Sequence, residues 1–226
     1  MAEIVIRPFC ADDTPRVRAI CFRTARHGRP MNAAFDDALL VSETLAGGYL
    51  RVEPEHAYVA EIGGIVSGYL TGCFDTVRFR RACAVGLFPR LAALFLLRGH
   101  AFHSGSWRFA RAAIRYGRRT ASAAAPFLRD YPAHLHVNLD DVCRGLGVCA
   151  RLLERFLDAL TRADIPGVHV SVASDGGARF FAKAGFRDLA TFTAPAVPDG
   201  EPLAARIMGR GAAGGGGTCV SASRGV

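Results

Sequence analysis

Between His134 and Arg162 the chain changes its apolar period from two to about 3.6. His134-Leu135-His136-Val137-Asn138-Leu139 alternates, which predicts a strand with Leu135, Val137 and Leu139 on one face and His134, His136 and Asn138 on the other. A turn with two glycines follows at Asp140 to Gly147. From Val148 to Arg162 the apolar residues Leu152, Leu153, Phe156, Leu157 and Leu160 fall at helical spacing. A helix N-terminus leaves backbone N–H groups unpaired and carries partial positive charge. Aimed at a phosphate, those groups make an anion seat that needs no charged side chain. Gly145 and Gly147 let the backbone come close to such an anion. The spacing is neither the G-x-G-x-x-G of dinucleotide folds nor a Walker loop, since no Gly-Lys-Ser/Thr follows.

The flanking sequence predicts a mixed α/β layer fold around this unit. Glu3 to Arg7 reads as a first strand that Pro8 ends. A helix follows, capped by Asp12 or Asp13, with Val17, Ile20 and Cys21 inward. Arg26 to Arg51 reads as a helical arm built on Leu39, Leu40, Val41 and Leu45, stopped by Gly47-Gly48. Ala57–Ile62 and Ile65–Cys73 read as a hairpin about Gly63-Gly64. Later come a strand at Gly167–Ala173, a short helix at Ala178–Ala184 closed by Gly185, and strands at Phe186–Thr193 and Ala204–Met208. The expected organisation is one domain over 1–208, with a helical insertion at about 76–130. A Gly- and Ser-rich tail over 209–226 is expected to be disordered.

Residues 76–129 hold no Asp or Glu, many arginines and the single tryptophan, Trp107. They predict two or three helices, with loops near Gly99 and Gly105, that pack over the core or form a subunit interface. The net charge is +8, and Lys183 is the only lysine. A basic surface suits nucleic acid or a phosphorylated cofactor. The apolar residues of 76–129 are dense enough to require burial, which disfavours nucleic acid. The seven cysteines form no CxxC pair and no zinc-spaced Cys/His cluster. No metal, no membrane segment and no signal peptide are expected, and reduced thiols point to the cytoplasm.

Arg144-Gly145-Leu146-Gly147-Val148, with Leu152-Leu153 behind it, resembles the Arg/Gln-x-x-Gly-x-Gly/Ala motif of the GNAT superfamily of N-acetyltransferases. Asp175-Gly176-Gly177-Ala178-Arg179-Phe180-Phe181-Ala182-Lys183-Ala184-Gly185-Phe186 is similar to that family's downstream Asn-x-x-Ala-x-x-Phe-Tyr-x-x-x-Gly-Phe, in register without a gap. The likeness covers 131–208 well and 3–75 loosely. Tyr131 to Asn138, Gly72 to Thr76 and Gly167-Val168-His169 resemble the bacterial relatives of the acetyltransferase-like domain of O-GlcNAcase.

The resemblance implies a GNAT fold: a mostly antiparallel sheet whose central strands splay, flanked by helices. It implies acetyl-CoA as cofactor and transfer of its acetyl group to an amine of a small molecule or protein. The cofactor would be held by Asn138, Leu139, Arg144, Gly145, Leu146, Gly147, Val148, Cys149, Asp175 and Phe181. Three of these depart from the pattern. Cys149 stands for the motif's last Gly/Ala, Asp175 for the Asn, and Phe181 for a tyrosine that in many members protonates the leaving thiolate. Imidazoles titrate in the range useful for an amine's general base, so His136 and His134 are the catalytic candidates. Glu61 and Asp75 are candidates on the acceptor side. Cys143 and Cys149 flank the turn, where a helix N-terminus can lower a thiol pKa and open a covalent acyl route. Two other classes stay open: a non-catalytic acyl-CoA-binding module, favoured by Phe181 and Asp175, and a nucleic-acid-associated basic protein.

Overall fold

The structure is a computed structural model and describes residues 3–25, 35–194 and 202–212. Seven strands form one sheet in the order β1-β2-β3-β4-β5-β7-β6. These are β1 (Ile4–Pro8), β2 (Tyr58–Ile62), β3 (Ile65–Cys73), β4 (Ala133–Leu139), β5 (Gly167–Val172), β6 (Arg187–Ala194) and β7 (Leu203–Gly211). Every neighbouring pair is antiparallel except β4 with β5. Of the tail expected over 209–226, residues 209–211 instead complete β7, paired with β5, and 213–226 lie outside the described residues, as does the first part of the arm, 26–34.

Helices cover both faces. One face carries α6 (Val148–Arg162) and α7 (Asp175–Lys183). Leu152, Phe156 and Leu160 of α6 are fully buried against Leu70, Leu135, Val168 and Val170 of the central strands. Gly72 on β3 fits under this helix because a Cβ there would strike the Phe156 ring and lie 2.9 Å from the His134 carbonyl oxygen.

The other face carries α1 (Thr14–Thr24), α2 (Ala38–Ser42) and α3 (Gly48–Val52), the last two joined by a π-helical turn at Glu43–Gly47. Val17, Ile20 and Cys21 of α1 pack on Val59, Val66 and Tyr69. The glycine pair Gly47-Gly48 does not stop the arm; both residues are right-handed helical and the chain stays helical to Val52. Gly48 serves close approach instead, since a Cβ there would meet Cys83 Sγ at 3.0 Å and Phe79 Cζ at 3.2 Å.

Between the antiparallel neighbours β3 and β4 the chain inserts a helical hairpin, α4 (Thr76–Leu97) and α5 (Ser104–Ala124). Gly99 turns it with φ of 75°. Gly105 is not in a loop: it lies in the first turn of α5. Asp37 ties the hairpin to the arm by capping α2 and accepting from His100 Nε2 at 2.7 Å and from Arg98. His100 Nδ1 lies 3.1 Å from Ser106 Oγ, but Ser106 is buried at 4% exposure, so this relay is a packed tie. Glu43, at 1% exposure, is ringed by Arg18, Arg51 and Arg90 from three helices. Among the described residues no helix is long and apolar enough to cross a membrane.

Candidate active site

The site begins where the sheet opens. β4 and β5 pair at only two positions, Ala133 with Val168 and His134 with His169. Beyond that row β4 follows β3 up to Leu139, paired with Gly68, while β5 follows β7 up to Val172, paired with Arg206. A fork therefore opens in the middle of the sheet, with the β4 backbone from Leu135 onward unpaired on that side.

The far end of β4 leads into the glycine turn. A short 3-10 turn spans Asp141–Cys143, Gly145 and Gly147 take φ of 75° and 69°, and Gly147 is the N-cap of α6. No atom lies within 4 Å of a Cβ built on either glycine, so conformation alone demands glycine there. The N–H groups of Val148, Cys149 and the next residue are the unpaired donors of the first helical turn. Arg144 is exposed and held at its Nε by Asp141 at 2.9 Å. Leu146 is exposed on the same turn, and Val148 is buried beneath it. Arg16 and Arg23 of α1 both bind Asp140, fixing the strand-to-turn corner.

Burial pushes the Cys149 thiol up to about 12 and raises the Cys143 thiol as well. Cys143 Sγ donates to the Ser67 carbonyl at 3.2 Å. The expected lowering at a helix N-terminus is thus reversed, because desolvation of a thiolate outweighs the helix field.

His136 and Asn138 project to the face opposite α6, into a chamber roofed by the arm. Asn138 Nδ2 donates to Tyr69 Oη at 2.9 Å and lies 3.1 Å from His136 Nε2, which accepts. The Tyr49 ring lies parallel to the His136 ring at 6.4 Å. Burial depresses the His136 pKa to about 4, so the ring is neutral at physiological pH.

His134 sits one step deeper. Thr76 Oγ1 spends its one proton on the Pro132 carbonyl at 2.6 Å, so it must accept from His134 Nδ1, 2.8 Å away. The ring is therefore the neutral Nδ1–H form, walled by Tyr49, Phe79 and His169, and burial holds its pKa near 3. His169 in turn donates from Nδ1 to the Tyr131 carbonyl at 2.8 Å.

The remaining candidates lie apart from this chamber. Glu61 accepts from Arg7, which also grips Asp13, on the β1–β2 edge of the sheet. Asp75 caps α4, accepting from the N–H groups of Val77 and Arg78. Asp175 opens α7 with an exposed side chain 3.8 Å from Arg206. Phe181 is buried with Phe180 and Phe186 in the core under α6 and α7, and Leu139 packs against that same core. On the β5 side of the fork, Tyr116 Oη of α5 lies 3.2 Å from Ser171 Oγ. The sequence singled out neither residue. Among the described residues no group of three His, Cys, Asp or Glu side chains is placed to hold a metal ion.

The fold that carries this site is shared with solved structures. The chain matches the crystal structure of SsHAT with a TM-score of 0.74 at 29% identity, over 93% of this chain and 99% of that one. The chain has the GNAT fold. A Drosophila melanogaster polyamine N-acetyltransferase that forms N-acetylagmatine matches with a TM-score of 0.59 at 15% identity, over 92% of this chain and 100% of that one. The protein yncA from Salmonella typhimurium, solved with its cofactor acetyl-CoA, matches at 0.56 and 16%, over 96% and 99%. No family model matches.

Proposed function

We propose that this chain is an acetyl-CoA-dependent N-acetyltransferase, transferring an acetyl group to an amine of a small molecule or protein in the cytoplasm. The observation that carries this is the fork leading into the αL glycines and the N-terminus of α6. The unpaired edge of β4 from Leu135 to Leu139 offers amide partners to an extended pantetheine arm, and Asn138 and Leu139 border it. Gly145, Gly147, Val148 and Cys149 offer backbone N–H groups to the pyrophosphate, while those of Arg144 and Leu146 are taken within the turn. Bound there, acetyl-CoA supplies the activated acyl group.

His136 is the group we assign to the acceptor. With a pKa near 4 it cannot deprotonate a free ammonium ion, whose reference pKa is about 10.4. The amine therefore enters neutral. After it attacks the thioester carbonyl, its nitrogen carries an acidic N–H, and His136 Nε2 accepts that proton by exchanging its bond from Asn138 for one from the amine. Asn138 holds the ring against Tyr69 and so fixes its direction. His134, enclosed and committed at Nδ1, supports Tyr49 and His136 from behind. Glu61 and Asp75 act locally, as an ion-pair partner and a helix cap.

The likeness to bacterial relatives of the O-GlcNAcase acetyltransferase-like domain forms part of this reading, supported by the placement of Tyr131–His134 and Gly167–His169 side by side at the closed end of the fork. Pairing into a homodimer through the hairpin is supported by the exposed apolar residues Val85, Phe88 and Leu96 on α4. A nucleic-acid role is less well supported, because Arg90, Arg98 and Arg119 are engaged inside the molecule.

The test is the thermal midpoint with and without acetyl-CoA, with desulfo-CoA and ATP as controls. At a hundred times its dissociation constant the cofactor adds about 2.7 kcal/mol, a shift of several degrees. A shift with acetyl-CoA and none with ATP supports the cofactor site, and acetylation of an amine panel then supports the enzyme. A shift without turnover on any amine favours the acyl-CoA-binding module, and no shift at millimolar acetyl-CoA refutes both.

A further inference from the structure

We propose that Tyr116 is a catalytic residue of this acyl transfer, giving its hydroxyl proton to the sulfur of departing CoA. The inference rests on the acetyltransferase reading above and adds the residue that completes its proton balance.

The register places the phenol. The last paired row of the fork is His134 with His169. Two residues further along each strand, on the same face, stand His136 on β4 and Ser171 on β5. They are the first side chains on that face beyond the point of opening, one on each arm. His136 brings an imidazole to one arm. Ser171 holds the Tyr116 hydroxyl at the other, 3.2 Å from its own oxygen. When Ser171 donates to Tyr116 Oη, the phenol proton is free to turn toward the fork. Tyr116 is half-buried, its ring tilted against Phe192 at 6.3 Å, and α5 is fixed beside it by Arg119 donating to the Thr193 carbonyl at 2.7 Å. The hairpin that carries Tyr116 is thereby a part of the active site.

The other phenols are otherwise committed or placed. Tyr69 Oη accepts from Asn138. Tyr131 Oη accepts from Arg187 at 2.7 Å. Tyr58 is buried in the core on the α6 side. Phe181 has no hydroxyl. Tyr49 faces the chamber, but from above His136, on the arm that receives a proton.

The step balances. The amine lone pair forms the C–N bond, and the tetrahedral intermediate breaks its C–S bond with the electron pair going to sulfur. His136 takes the proton from nitrogen at Nε2, which lets go of the Asn138 N–H as it does so, and Tyr116 gives one to sulfur. Exchange with water then returns the imidazole and the phenol to their starting forms, leaving amide and CoA thiol. In a desolvated fork an uncompensated thiolate is strongly disfavoured, so a positioned donor accelerates its departure.

The experiment compares Tyr116→Phe, Tyr49→Phe and wild type. Tyr116→Phe is expected to lower kcat by about 100-fold or more, the range for a lost general acid, with the acetyl-CoA thermal shift kept. Tyr49→Phe, which keeps the ring against His136, is expected to lower kcat far less than Tyr116→Phe does. 3-Fluorotyrosine at position 116, which keeps the shape and makes the phenol more acidic, is expected to move the alkaline limb of the kcat–pH profile to lower pH. It also decides the matter if Tyr116→Phe fails to fold. Wild-type kcat in Tyr116→Phe, a 100-fold loss in Tyr49→Phe instead, or an unmoved alkaline limb overturns the proposal while leaving the acetyltransferase reading intact. A wild-type protein that neither shifts with acetyl-CoA nor turns over overturns both.

Discussion

Lowering the pH from 7.5 to 4.5 is expected to destabilise the fold through His136, and His136→Gln is expected to remove that part of the loss. Burial depresses the folded imidazole from about 6.5 to about 4. The unfolded chain protonates that ring as pH falls through about 6.5, whereas the fold resists until about 4. Between these values the unfolded state binds one more proton, so stability falls with falling pH. Each unit of difference is worth about 1.4 kcal/mol, so about 2.5 units give at most about 3.5 kcal/mol, of which about 2.8 kcal/mol is lost by pH 4.5. His134, depressed to about 3, acts in the same direction and continues to lower pH. The carboxylates enter later: Asp13, held near 2 by Arg7, stays ionised until well below this window. Urea midpoints of wild type and His136→Gln between pH 6.5 and 5 therefore isolate the histidine. The wild-type curve should fall more steeply, by up to about 1.4 kcal/mol per pH unit. Parallel curves would refute the assignment of a buried, neutral His136 and with it the proton acceptor assigned to the reaction.

Gly72→Ala should lose about 1–3 kcal/mol in urea unfolding, because the added methyl strikes the Phe156 ring and the His134 carbonyl, and β3 cannot yield without moving α6. Gly147→Ala meets no neighbour but must hold φ near 69°, so a loss of about 1–2 kcal/mol is expected, together with a weakened acetyl-CoA thermal shift. Among the cysteines of the described residues, a disulfide reagent should modify the exposed Cys10 first in native protein and leave Cys143 and Cys149 unmodified until urea is added, as titration of accessible thiols would show.

The parts of the fold that could be read from the sequence are those written in short range. The Gly63-Gly64 hairpin, the alternation of β4 and the helical spacing of α6 each depend on a dozen residues or fewer, and the structure has all three. The glycine pair at 47–48 misled because a stop signal and a close-contact glycine look alike until α4 is seen against it. The same limit applies at the site. Sequence position brought His134, His136 and Asn138 to one face, because a strand does so automatically. It could not show that Asp75 and Glu61 are taken up by a helix cap and an arginine. Nor could it place Tyr116 beside Ser171, 55 positions away, since that pairing exists only once the hairpin lies on the sheet.

The two-position pairing of β4 with β5 also bears on how the molecule carries load. The sheet is in effect two plates, β1 to β4 and β5 with β7 and β6, riveted at one end of a shared seam and bridged by α6 and α7. Relative motion of the plates is resisted at the rivets and is softest at the open mouth, where the glycine turn sits. An extended molecule lying along the seam acts as a strut that locks the plates at one angle. The amides of residues 135–139 are then the gauge: their exchange with solvent should slow when the seam is bridged, while the β2–β3 amides remain as they were.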